Sequence, residues 1–242
     1  MLKGNTILVT GGSSGVGLEL AAALSRMGNK VLICGRSAAK LAEAQLKIPG
    51  LHTFCCDLAQ ESDCRALFRW VHTEHPQCNV LVNNAAIVHR ISFAGDEHAA
   101  AKAVEEFAVN LLAPVRLCKL FLPLLKQHPN GHIINISTGL VYAPRAAYPF
   151  YNATKSALHA FTQTLRMQVS GIRVTEVLLP VVDTPWHRGQ APASAIPAGK
   201  AVKAMLRGLQ SGRPEVRVGK VKLLYRVSRL WPALAIRIVN RL

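Results

Sequence analysis

Thr6-Ile7-Leu8-Val9-Thr10-Gly11-Gly12-Ser13-Ser14-Gly15-Val16-Gly17-Leu18-Glu19-Leu20 passes without a break from an apolar stretch, through a glycine and serine turn, into a segment with helical spacing. That order predicts strand, tight turn and helix, the opening of a βα unit. A turn of this kind aims free backbone N–H groups and the positive helix end at an anion. Glycine leaves room for a pyrophosphate to approach the backbone, so Thr10, Gly11, Ser13, Ser14, Gly15, Val16 and Gly17 are candidate binding residues. Their spacing is GxxxGxG rather than GxGxxG.

Outward from this unit the pattern repeats. Strands are expected at Thr6 to Thr10, Lys30 to Cys34, His52 to Cys56, Val80 to Asn83, His132 to Ile136 and Arg173 to Leu179. Several are apolar at consecutive positions, as in Val31-Leu32-Ile33-Cys34, which fits strands covered on both faces. Helices are expected near Val16 to Met27, Ala38 to Leu46, Glu61 to Val71, Lys102 to Leu125 and Phe150 to Gln168. The alternation predicts an α/β fold, a doubly wound parallel sheet flanked by helices on both faces, with ligands beyond the carboxyl ends of the strands. Val181 to Pro197 holds three prolines and reads as a long loop of the kind that forms lids, in which Trp186, His187 and Arg188 are placed either to touch a substrate or, through the Trp, to anchor the loop to the surface. A helix at Lys200 to Gln210 and a short strand at Glu215 to Val218 follow. The single domain is expected over 1–219, with a basic amphipathic extension over 220–242.

The second strand ends Cys34-Gly35-Arg36, where a dinucleotide fold meets the adenosine ribose. A carboxylate there would bond the 2′-hydroxyl of NAD, whereas Arg36 can clamp a 2′-phosphate, so NADP(H) is favoured over NAD(H). Tyr151 and Lys155 fall at i and i+4 on one helical face, and the cation should lower the phenol pKa from about 10 towards neutrality. Ser137, just after the fifth strand, lies at the same edge, able either to cap a turn or to hold a substrate oxygen.

Together these pieces resemble the short-chain dehydrogenase/reductase family, over about Asn5 to Thr184. Gly11, Gly15 and Gly17 match its cofactor glycines and Asp57-Leu58 its adenine-contacting pair. Asn83-Asn84-Ala85-Ala86 matches its NNAG motif with Ala for the final Gly, and Pro180-Val181-Val182-Asp183-Thr184 its segment beside the nicotinamide, with Val181 for Gly. Asn84, Ala85, Ala86, Pro180, Val182 and Thr184 are therefore expected at the cofactor. Asn110, Ser137, Tyr151 and Lys155 match the family's catalytic tetrad. The resemblance implies hydride transfer between NADPH and a carbonyl or alcohol, with Tyr151 as general acid and base and Ser137 holding the oxygen. Lys155 would act on Tyr151 and the nicotinamide ribose, and Asn110 would anchor a water beside Lys155. The alternative on the same fold is a non-catalytic NADP-binding regulatory or membrane-associated protein, against which the intact tetrad argues. Relatives associate through the two long helices, so a homodimer or homotetramer is expected.

The chain has 242 residues, half of them apolar and 17% charged, which excludes intrinsic disorder. Its formal net charge is +16. From Lys200 onward eleven Lys or Arg face one acid, Glu215, so most of that excess lies in the last 43 residues. Lys220 to Leu242 mixes these cations with Leu, Ile, Val, Tyr225 and Trp231. An amphipathic helix pair split by Pro232 could lie on an anionic membrane surface, pack on the domain or contact another subunit. Aromatics are only 6% and no stacking motif interleaves with the basic residues, which argues against nucleic acid. No apolar run reaches the ~18 residues of a spanning helix, and no secretory segment opens the chain. Cys34, Cys55, Cys56, Cys64, Cys78 and Cys118 show no CxxC spacing and are expected as reduced, buried thiols of a cytoplasmic protein. His72 and His75 share i, i+3 spacing but are expected at a solvated helix end, and no metal site is expected.

Overall fold

The computed structural model describes residues 3–187, 189 and 191–241. In chain order it forms β1 (Thr6–Thr10), α1 (Gly15–Arg26), β2 (Lys30–Gly35), α2 (Ala38–Lys47), β3 (His52–Cys55), α3 (Glu61–Glu74) and β4 (Cys78–Asn83). Then come α4 (Ala99–Phe107), a π-turn at Ala108–Leu112, α5 (Ala113–Lys126), β5 (His132–Thr138), α6 (Pro149–Gln168) and β6 (Arg173–Leu179). The short strands β7 (Val182–Asp183) and β8 (Ile196–Pro197) precede α7 (Ala198–Gln210), β9 (Glu215–Arg217), α8 (Val221–Leu230) and α9 (Pro232–Arg241).

Seven parallel strands lie in the order β3-β2-β1-β4-β5-β6-β9, so the winding reverses between β1 and β4. Alternate residues of each strand face opposite layers. Ile7, Val9, Ile33, Val80 and Val82 pack with Leu20, Leu24 and Met205 of α1 and α7 on one side. Leu8, Leu32, Leu81 and Ile133 pack with Leu67, Leu117 and Phe121 of α3 and α5 on the other. Each fully buried Leu, Ile or Phe contributes roughly 1.5–3 kcal/mol, which explains the near-continuous apolar runs read from the sequence.

The fourth expected helix is longer than its periodicity indicated and is interrupted. Pro114 has no N–H to give the Asn110 carbonyl four residues earlier, so the α ladder cannot run through this point and a π-turn spans it. From Ala99 to Lys126 the rod is long and apolar enough to cross a membrane by length and composition, contrary to the expectation that no segment would be; half of its apolar window is buried in the domain, with Leu117, Phe121 and Leu125 in the core. The expected loop from Val181 to Pro197 is tied at both ends, because β7 pairs with β8 and Ile196 N donates to Val181 O at 3.1 Å.

Two smaller expectations are corrected. His72 is exposed and stacks on Phe68, but His75 is buried between His52 and Trp70, and burial lowers its pKa, so the pair is not a solvated helix end. Five cysteines are buried, whereas Cys55 is exposed.

Candidate active site

The carboxyl ends of the strands open into one cavity of about 840 Å³. Among the described residues, each one expected at cofactor or substrate lines it except Thr10 and Asn110, which brace its walls. The Thr10 hydroxyl accepts the N–H groups of Asn84 (2.9 Å) and Ala85 (3.0 Å) and donates to the Val82 carbonyl at 3.3 Å. Asn84 Nδ2 returns to the Thr10 carbonyl at 2.9 Å, so the β1 and β4 turns are lashed together at the switch point. Gly11 (φ +64°) and Gly15 (φ +54°) adopt left-handed conformations that side chains resist. A Cβ on Gly17 would lie 2.2 Å from the Gly11 carbonyl oxygen and 2.6 Å from Asn84 Nδ2. On Gly12 it would lie 2.4 Å from Ile33 Cγ2. Glycine is expected at position 17 for the approach of a phosphate; the protein's own packing already requires it there and at Gly12.

This end of the cavity fits a nucleotide. Ser14 caps α1 without a side-chain bond into the helix, and no acid occupies the first turn, so the positive helix end faces the cavity unopposed. Arg36 is exposed on the same wall, and no carboxylate pairs with it among the described residues. Lys40, in the first turn of α2, lines the wall as well; nothing in the sequence spacing had singled it out. Asp57 Oδ1 accepts from Ala59 N at 3.1 Å, and Leu58 is buried beside it.

The opposite wall is built by β5 and α6. Ser137 lies within β5 rather than after it, paired with Leu178 of β6. Its Oγ is buried with no hydrogen-bond partner among the described residues. Such a group carries an unmet bonding demand, which a ligand oxygen can satisfy. Asn83 Nδ2 donates to Asn135 Oδ1, Asn135 Nδ2 to Thr162 Oγ1, both at 2.8 Å, and Thr162 Oγ1 to the Leu158 carbonyl at 2.6 Å. This buried chain holds α6 against the sheet and so sets where Tyr151 and Lys155 reach the cavity.

Lys155 Nζ donates to the Ile136 carbonyl at 2.9 Å and lies 5.9 Å from the Tyr151 ring centroid. The expected acidification of Tyr151 is not found. Burial first, and the Glu106 carboxylate second, raise its pKa to about 12, while burial lowers Lys155 to about 8 against the opposing pull of Glu176 and Glu106. The ammonium is engaged by a main-chain acceptor, and the phenol has lost water without gaining it as a partner. Glu106 itself is fully buried; Oε1 accepts His89 N at 2.8 Å, and burial raises its pKa. Its approach to Tyr151 had no sequence signal, since the two lie on different helices.

Asn110 sits in the π-turn. Its Oδ1 accepts Ile87 N (2.9 Å), and Nδ2 donates to Ile87 O (2.8 Å) and Thr154 Oγ1 (3.3 Å). The side-chain amide therefore clamps the loop after β4 to α6. Trp186 and His187 line the cavity; Arg188 lies outside the described residues. The C-terminal helices, read as an extension, supply Val221, Leu224, Val227 and Val239 to the same cavity.

A family model described as short chain dehydrogenase matches residues 5–194. The chain is 40% identical over 235 residues to an uncharacterized oxidoreductase, DltE, of Bacillus subtilis (strain 168), covering 94% of this chain and 93% of that one. In fold it is similar to a short chain dehydrogenase from Burkholderia cenocepacia J2315 in complex with NADP (TM-score 0.86, 23% identity, 99% and 98% of the two chains covered). It is also similar to one from Burkholderia phymatum in complex with NAD (TM-score 0.82, 16% identity, 95% of each chain covered).

Proposed function

The chain belongs to the short chain dehydrogenase family and is an NAD(P)-dependent oxidoreductase, from which we propose that it interconverts a carbonyl and an alcohol with NADP(H) as the preferred coenzyme. The observation that carries this reading is the convergence of Ser137, Tyr151 and Lys155 on one wall of a cavity whose other wall is the open N-terminus of α1.

Gly11, Ser13, Ser14, Gly15, Val16 and Gly17 would hold the pyrophosphate, and Asp57 and Leu58 the adenine. Asn84, Ala85, Ala86, Pro180, Val182 and Thr184 would flank the nicotinamide half. The exposed Arg36 and Lys40 offer a 2′-phosphate two cations at the ribose, which favours NADP(H). When bound, the coenzyme supplies or accepts a hydride at its nicotinamide ring. Ser137 Oγ donates to the substrate oxygen and fixes the carbonyl's orientation. Tyr151, protonated at neutral pH, gives that oxygen its proton in reduction and recovers it in oxidation. Lys155 would bond the coenzyme's ribose, and its ammonium would stabilise phenolate as the proton leaves. Asn110 holds α6 and the loop at Ile87 in register.

Exposed Val104, Phe107 and Leu112 on the long helical rod and Met167 on α6 offer an apolar face for a second copy, consistent with a homodimer or homotetramer. The test of the activity is NADPH oxidation followed across a panel of aldehydes and ketones. Turnover of at least one carbonyl by the wild type is expected; binding of NADPH with no turnover across the panel, in either direction, would overturn the proposal.

A further inference from the structure

The two C-terminal helices carry features that hydride transfer does not use. Their inner faces pack on the domain, where Ala235 and Val239 bury against Ala143, and Asn240 Nδ2 donates to the Pro144 carbonyl at 3.0 Å. Their outer faces leave Leu223, Leu230, Trp231, Leu234, Ile236 and Ile238 between 40% and 66% exposed. These make up nearly half of the large exposed apolar side chains among the described residues, gathered within one short segment. Lys222, Arg226, Arg229, Arg237 and Arg241 are exposed beside them, and no acidic residue occurs from Lys220 to the end of the chain. Leu223 and Ile238 also line the cavity, so the apolar patch is continuous with its mouth.

We propose that this face docks on an anionic phospholipid bilayer, and that the substrate is an apolar-chain carbonyl or alcohol entering from that bilayer between α8 and α9. The first part stands on the surface alone; the second rests on the oxidoreductase reading above. Charge complementarity selects the occupant. A second copy joined symmetrically through this face would set cations against cations with no acid to relieve them. Nucleic acid would match the charge but leave Trp231, Leu230 and Leu234 against phosphate. A bilayer interface satisfies both halves, taking the apolar side chains into the acyl boundary and the cations among the headgroups. The cavity wall that α8 and α9 contribute is aliphatic, as an acyl or isoprenoid chain requires.

The full-length protein should co-sediment with phosphatidylglycerol–phosphatidylcholine vesicles, not with pure phosphatidylcholine, and high salt should release it. Each Lys or Arg near an anionic surface strengthens partitioning about fivefold, so Lys222→Gln/Arg226→Gln/Arg237→Gln should weaken it about a hundredfold. Emission from Trp231 should shift to the blue on binding, and Trp231→Phe should abolish that shift. A long-chain ketone should be reduced faster from phosphatidylglycerol-containing vesicles than from phosphatidylcholine, and the triple variant should lose the difference while reducing a short, water-soluble ketone normally. Absence of vesicle binding, equal binding to both vesicle types, wild-type binding by the triple variant, or preferential retention on duplex DNA would each overturn the docking surface. If vesicles bind but no ketone of either kind is reduced, the oxidoreductase reading fails and the substrate assignment falls with it, while the docking surface stands. Normal turnover of the short ketone with no preference for vesicle-held substrate would overturn the substrate assignment alone.

Discussion

The Lys155 ammonium is bonded at 2.9 Å to the carbonyl of Ile136, the residue immediately before Ser137. One interaction thus joins the helix that carries Tyr151 to the strand that carries the serine. It also holds a cation that is almost fully buried.

Confinement makes Lys155 a source of pH-dependent stability. Its folded pKa of about 8 lies below the ordinary 10.5, so between these values the unfolded chain binds more protons and stability rises with pH, by about 1.4 kcal/mol per unit. Below pH 8 both states are protonated and the cost of the buried charge is full. Lys155→Met should therefore be more stable than wild type at pH 7, and urea unfolding should show the gap closing between pH 8 and pH 10.5. A constant gap would contradict the buried-cation account.

Tyr151→Phe removes only the transferable proton. NADPH affinity, read by fluorescence, should stay within about twofold, while kcat falls by about 10²–10⁴. Retained turnover would remove Tyr151 from the mechanism.

The Glu106 carboxylate adds to the upward shift of Tyr151, second to burial. Glu106→Gln keeps an acceptor for the His89 N–H yet removes the charge. The rise of alcohol oxidation with pH, which needs the Tyr151 phenolate, should move to lower pH in this variant, with little change in KM. An unmoved profile would show that the two groups do not communicate.

Arg36→Asp should raise KM for NADPH by about ten- to a hundredfold, as expected for loss of a charge-assisted bond, and improve the use of NADH. Equal effects on both coenzymes would show that Arg36 does not read the 2′-position.

Gly17→Ala forces a methyl against the Gly11 carbonyl and the Asn84 side-chain amide, which bond each other at 3.3 Å while the amide also bonds the Thr10 carbonyl at 2.9 Å. Loss of about 1–3 kcal/mol in chemical denaturation is expected, with weaker NADPH binding. Wild-type stability would mean that this turn is free to move.

The strand-turn-helix alternation, the glycine turn and the i, i+4 placement of Tyr151 and Lys155 can all be read from residue order. These are legible because strand and helix periodicity act over a few residues, and glycine announces turns locally. Which charges meet depends instead on how the elements pack. Glu106 approaches Tyr151 from another helix, Lys155 turns to a strand carbonyl, and burial drives the two pKa values opposite to the order that spacing implied. Packing also decides that α8 and α9 fold back to wall the cavity, since amphipathic spacing says that a face is buried but not against what. Local pattern fixes conformation; desolvation and charge pairing depend on neighbours distant in the chain, which only the packed fold brings together.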